Sequence, residues 1–174
     1  IRDVETADLA IQAALTGHQV FSTLHTNTAA GALPRMLDMG AEPFLIASAI
    51  NAIVGQRVVR KICNHCRIEF PIPPEVSENI KSVLGNLLPS APLKLYKGQG
   101  CASCNHLGYL GRIGIFEVMV VSEKISKKIL EHGTSQGIEE IAVSEGMITM
   151  KQDGYLKALE GITTLEEVLR VAQD

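Results

Sequence analysis

The 174-residue sequence contains no tryptophan, and aromatic residues make up only 4% of it. Its core therefore has to be aliphatic, filled by Ala, Leu, Ile and Val. There is no surplus of positive charge: 16 basic residues stand against 19 acidic ones, a net charge of −3 and a pI near 6.0. Generic attraction to nucleic acid or to anionic lipid is thereby excluded. No uninterrupted apolar run approaches the roughly 20 residues needed to span a bilayer. No methionine opens the chain and no basic-then-apolar leader precedes it. Ile1 starts as if in mid-sequence, so the chain reads as a portion of a longer protein whose upstream part is missing. What is present can fold: 46% hydrophobic and 20% charged residues, with a mean hydropathy of +0.17, are enough for a packed core and exclude wholesale disorder. The length suits one ordinary domain or two to three small ones.

The four cysteines carry the sharpest signal. They fall as Cys63-Asn64-His65-Cys66 and Cys101-Ala102-Ser103-Cys104, two C-x-x-C pairs with 34 residues between them. Zinc takes four soft ligands on a tetrahedron, and each C-x-x-C turn presents two thiolates on one side. The intervening segment is longer than that of a simple ribbon, so it is expected to carry structure of its own. Two disulfides would suit a secreted chain, of which there is no sign. A thioredoxin-type redox pair would need a βαβ setting that neither pair has, and an iron–sulfur cluster is a further four-cysteine alternative. The expectation is a closed structural zinc site at Cys63, Cys66, Cys101 and Cys104, which organises the fold and activates no water. His65 and His106 read as exposed knuckle histidines. Between Cys63 and Cys104 the basic residues are Arg67, Lys81, Lys94 and Lys97 and the acidic ones Glu69, Glu75 and Glu78, which is no basic stripe for nucleic acid.

Residues 1–55 hold eleven alanines and suit close packing of helices on a sheet. Asp3 is a plausible cap for a helix to about Thr16, with Leu9, Ala10, Ala13 and Ala14 on one face and Gly17 as its stop. Val20 to Leu24 reads as a short buried strand. His25-Thr26-Asn27-Thr28 then leads into a helix from about Ala29 to Met39, which Pro34 should kink or shift. Pro43 opens a helix to about Ile53, and Gln56 to Ile62 is a strand running into the first knuckle. In open α/β sheets, polar residues at the carboxyl ends of strands face the ligand crevice. Ser22, Thr23, His25, Thr26 and Asn27 stand there, with hydroxyl, imidazole and amide groups that suit phosphate oxygens; equally, Thr26 or Asn27 would serve as a helix cap. Further on, Glu75–Leu84 reads as a helix, Leu93–Tyr96 as an edge strand and Ile113–Val121 as β-rich. Ser122, Ser135 and Thr149 open three short helices, and Thr163 or Thr164 caps a fourth.

Three segments together resemble one family. Ile1-Arg2-Asp3-Val4-Glu5-Thr6-Ala7 is similar to the stretch after the Walker B glutamate of the ATPases of type II secretion and type IV pilus assembly. Thr16 to Asn27 resembles their His box. Gly55 to Cys63, with Gly108-Tyr109-Leu110-Gly111-Arg112-Ile113-Gly114, resembles the zinc-binding module of the assembly branch. The resemblance implies an α/β fold: the C-terminal part of a RecA-like P-loop ATPase core (1–55), a tetracysteine zinc subdomain (56–112) and a helical domain (113–174). It also implies a homo-hexamer on the cytoplasmic face of the inner membrane. There ATP hydrolysis with Mg²⁺ would act on platform and recruiting proteins to add pilin or pseudopilin subunits. His25 matches the His-box histidine, expected to sense the γ-phosphate. Thr23 and Thr26 are its polar neighbours, Arg2 follows the Walker B glutamate, and Arg57 stands at the core–zinc boundary for nucleotide contact or packing. One departure matters. No G-x-x-x-x-G-K-[ST] occurs in the chain, and phosphoryl transfer depends on that loop. The polypeptide by itself is expected to be inactive. The competing expectation is a zinc-dependent interaction module without nucleotide turnover.

Overall fold

The computed structural model describes residues 1–172. Among the described residues, eight α-helices and four strands follow one another as α1 (Val4–Leu15), α2 (Ala32–Asp38), α3 (Pro43–Ala49), β1 (Ala52–Ile62), β2 (Arg67–Phe70), α4 (Pro74–Leu84), β3 (Leu95–Gly98), β4 (Tyr109–Val120), α5 (Glu123–Leu130), α6 (Ser135–Ser144), α7 (Met150–Leu159) and α8 (Leu165–Val171). β1 pairs with β4, and β2 runs antiparallel to β3 with Arg67 opposite Gly98 and Phe70 opposite Leu95. The chain divides into two compact units, Ile1–Gly55 with Glu117–Ile148 and Gln56–Phe116 with Thr149–Asp174. α5 and α6 fall in the first unit, and α7 and α8 in the second.

The first unit is built on small and branched aliphatic side chains. Ala7 and Ile11 of α1 are buried, one turn apart on the helix. The face expected from Leu9 differs: Leu9 is 68% exposed, and the i, i+4 pair Ala7/Ile11 faces inward instead. Asp3 caps α1 as expected, accepting the Thr6 N–H at 2.8 Å. α2 begins at Ala32, so Pro34 falls in the first turn, where its missing N–H costs no helical bond. α3 ends at Ala49, because Ile50 is already extended and leads into β1.

The expected strand at Val20–Leu24 is not one. The segment is irregular, with Phe21 85% exposed and Val20 40% exposed. A strand exists only as one partner of a ladder, and no described residue supplies the second. The terminal amine of Ile1 donates to the Thr23 carbonyl at 2.7 Å, so the start of the chain lies beside this stretch.

In the second unit the aliphatic core gathers Val59, Ile80, Leu84, Leu95, Ile115 and Val168 around Tyr155, whose hydroxyl donates to Asn79 at 2.7 Å. α7 carries a complete capping box, Thr149 with Gln152. Of the two possible caps for α8, Thr164 is used, accepting the Glu167 N–H. Thr163 instead donates to the Arg60 carbonyl at 2.8 Å. Glu167 does not return to the helix cap. It accepts from Arg60 and Arg170.

Candidate functional site

β1 delivers Cys63 directly from its end, and the turn to Cys66 closes with Cys66 N–H donating to the Cys63 carbonyl at 3.3 Å. β3 leads to the second turn, where Ala102–Cys104 forms a 3-10 turn closed by Cys104 N–H on the Cys101 carbonyl at 3.1 Å. Asn105 and His106 then take the left-handed conformation. The two knuckles are pressed together backbone to backbone. A Cβ on Gly98 would stand 2.0 Å from the Gly108 carbonyl oxygen, and one on Gly108, whose φ is +77°, would stand 2.7 Å from that of Gly98. Only glycine fits either position.

This approach brings all four thiols together. Cys63 and Cys101 Sγ lie 3.9 Å apart, Cys66 and Cys104 3.9 Å, and Cys101 and Cys104 3.8 Å. These separations are far beyond a bonded S–S distance of about 2.05 Å, and all four cysteines are free. A tetrahedron of sulfurs about 2.3 Å from a central ion has edges of about 3.8 Å. The spacing is that of ligands to a single tetrahedral ion, and the four sulfurs, all within 4.8 Å of one another, are placed closely enough to hold one. Cys63 and Cys104 are buried and the other two half-buried, so no open ligand position faces solvent broadly.

Backbone amides complete the surroundings. Cys66 Sγ accepts from Gly100 N–H at 3.3 Å, and Cys104 Sγ accepts from Cys101 N–H at 3.2 Å and Gly108 N–H at 3.3 Å. Donation first from Cys101 and then from Gly108 lowers the Cys104 thiol to about 6, whereas desolvation pushes Cys66 up to about 11. Amide donation of this kind stabilises thiolate and orients the sulfur for a metal. His65 and His106 are exposed beside the knuckles and are not among the clustered ligands.

The residues expected to face nucleotide are distributed differently. His25, Thr23 and Arg2 are exposed and Thr26 is half-buried, all in the first unit. The Ile1 contact to Thr23 places Arg2 next to that segment. Thr26 Oγ1 donates to the Thr28 carbonyl at 3.1 Å, and Thr28 Oγ1 accepts the Gly31 N–H at 3.1 Å; Gly31, and neither Thr26 nor Asn27, is the N-cap of α2. Arg57 lies on β1, half-buried, in the second unit. Glu117, a lone carboxylate inside the apolar run Ile113–Val121 and so visible in the sequence, belongs to the first unit. Its Oε1 accepts the Ala29 N–H at 2.5 Å.

Residues 1–170 match the family model described as type II/IV secretion system protein. The chain belongs to the type II/IV secretion system protein family. Among curated relatives, it is 46% identical over 169 residues to the type IV pilus assembly ATPase PilB of Thermus thermophilus, covering 97% of this chain and 19% of that protein. It is 45% identical to PilB of Pseudomonas aeruginosa, covering 100% and 30%, and 45% identical to the type II secretion system protein E of Aeromonas hydrophila, covering 100% and 34%. It thus spans about a third or less of the length of these family members. Solved structures share the fold: the pilus retraction motor PilT with bound ADP at TM-score 0.64 and 23% identity, covering 100% of this chain and 38% of that one, and the Legionella pneumophila ATPase DotB at TM-score 0.60 and 19% identity, covering 98% and 36%. The α/β, RecA-like fold class that the resemblance implies is the one found. No helix among the described residues is long and apolar enough to cross a membrane.

Proposed function

We propose that the chain is the C-terminal part of a hexameric ATPase that powers pilin or pseudopilin assembly, in type IV pilus biogenesis or type II secretion. The observation that carries this reading is the 46% identity to a pilus assembly ATPase over 97% of the chain, joined to a tetracysteine cluster of ion-binding size. In the intact protein it would act at the cytoplasmic face of the inner membrane, on platform and recruiting proteins of the machine.

Phosphoryl transfer is governed by positioning and by neutralising charge on the phosphates. His25 presents an imidazole that can donate to a γ-phosphate oxygen. Thr23 presents a hydroxyl and Arg2 a guanidinium group for the same anionic ligand, while the Thr26 hydroxyl, donating to the Thr28 carbonyl, shapes the loop beside them. Arg57 is proposed separately for nucleotide contact or packing, and ATP with Mg²⁺ supplies the transferable phosphoryl group when bound. Zinc is the ion that suits four thiolates, and Cys63, Cys66, Cys101 and Cys104 would hold it as a structural centre. No G-x-x-x-x-G-K-[ST] is present, so this polypeptide alone should turn over no ATP.

The test is His25→Ala in the intact protein. Hydrolysis and fibre assembly should collapse while zinc stays at one per chain. Unchanged turnover would replace the motor reading with that of a zinc-dependent interaction module.

A further inference from the structure

Glu117 is a carboxylate inside an otherwise apolar stretch of β4. Its neighbours Ile115 and Met119 are fully buried, and Glu117 itself is 5% exposed. Burial of such a group is unfavourable unless it is hydrogen-bonded, and an apolar side chain of similar volume often serves stability as well or better. The carboxylate is therefore hard to explain by packing alone.

Its geometry points elsewhere. Oε1 accepts the N–H of Ala29, 88 positions away in sequence and 1% exposed. Gly55 makes room for this reach: a Cβ there would stand 2.8 Å from both Cγ and Oε1 of Glu117. The other end of the same peptide unit, the Thr28 carbonyl, accepts from Thr26 Oγ1 at 3.1 Å. The Thr28–Ala29 peptide is thus held at both ends, its N–H by a sheet strand and its C=O by the loop's own threonine. His25 directly precedes Thr26 and is exposed, so little packing of its own orients it. The loop takes its bearing from β4.

We infer that Glu117 is a positioning residue: its bond to the Ala29 N–H sets the conformation of the 25–28 loop for the phosphate-facing role of His25. The inference rests on that proposed role. Glu117 does not itself touch the nucleotide; its part is to hold a peptide plane that the loop then uses.

The experiment uses the intact protein with Glu117→Leu, which keeps volume and removes the acceptor, and Glu117→Gln, which keeps an acceptor oxygen. Hydrogen exchange of the peptide covering 24–31 is followed by mass spectrometry beside steady-state ATP hydrolysis. Glu117→Leu should speed exchange in that peptide and lower kcat by about 100-fold, as expected for a small misplacement of reacting groups, with KM for ATP within about threefold. Glu117→Gln should restore both. Gly55→Ala, which pushes the carboxylate aside without removing it, should reproduce the loss if Glu117→Leu does not fold. His25→Ala should lower kcat without altering exchange. Unchanged exchange in Glu117→Leu overturns the anchor, and faster exchange with undiminished kcat overturns its positioning role. Full activity of His25→Ala would instead bring down the phosphate-facing role, and this inference with it.

Discussion

Glu167 is 2% exposed, and its Oε1 lies 2.6 Å from Nη2 of Arg60, 107 positions earlier in the chain. The Arg60 backbone N–H also donates to it at 3.0 Å, and Arg170 donates from within α8 at 2.9 Å. The Arg60 guanidinium stacks over Tyr109, 4.3 Å from the ring centroid, and the Tyr109 hydroxyl meets Thr164 at 3.0 Å. One carboxylate thereby ties α8 to the end of β1, three residues before Cys63.

Hydrogen bonds first from Arg60 and then from Arg170 hold the Glu167 carboxyl well below the usual carboxylate range. A group depressed in the folded state stabilises it above its unfolded value, near 4.3, and that contribution is lost as pH falls toward the folded value. Glu167→Gln should therefore cost about 2 kcal/mol at neutral pH, the scale of a buried charge-assisted hydrogen bond. Its gap from the parent should shrink below about pH 4. Paired denaturant melts between pH 7 and pH 3 measure it, and a gap independent of pH would show that the charge contributes nothing.

The thiol spacing predicts one zinc per chain. Elemental analysis should find that stoichiometry, and chelation or Cys104→Ser should remove the ion and lower the melting temperature, since binding energy at such a site is folding energy. A metal-free preparation with unchanged circular dichroism and melting would refute the structural role.

The knuckle glycines can be separated from glycines that are merely strained. Gly98→Ala sets a methyl group 2.0 Å from the Gly108 carbonyl oxygen and should weaken metal retention as well as stability. Gly111→Ala, at φ +80° with nothing within 4 Å, should cost only the left-handed strain of about 1–2 kcal/mol and leave metal content intact. Equal metal loss in both would remove the close approach as the cause.

Thr149→Ala should cost α7 about 1 kcal/mol, because it removes the hydroxyl half of the capping box, the bond from Gln152 N–H to Thr149 Oγ1. Thermal melts would register the loss. No change in melting temperature would mean that water replaces the cap without penalty.

Local rules made much of the chain legible. Asp3, Ser122, Thr149 and Thr164 cap helices where short-range hydrogen-bond chemistry places them, and Pro34 shifted a helix start as its missing N–H requires. Val20–Leu24 misled because β-propensity describes a side chain's fit to a sheet and says nothing of whether a partner lies alongside. The inward face of α1 misled for a related reason: alanines mark several faces at once, and Ala7 with Ile11 was chosen by what packs against them.

The sequence by itself determined the two C-x-x-C turns that carry the four thiols, because the geometry of each turn is set within four residues. It also determined the family, through contiguous motifs. Tertiary structure alone decided that Cys63 meets Cys101, that Glu167 answers Arg60, and that Glu117 reaches Ala29 across Gly55. Each of these joins residues separated by 38 to 107 positions. Their meeting depends on how whole elements pack, and the free energy that selects that packing is spread over the entire core.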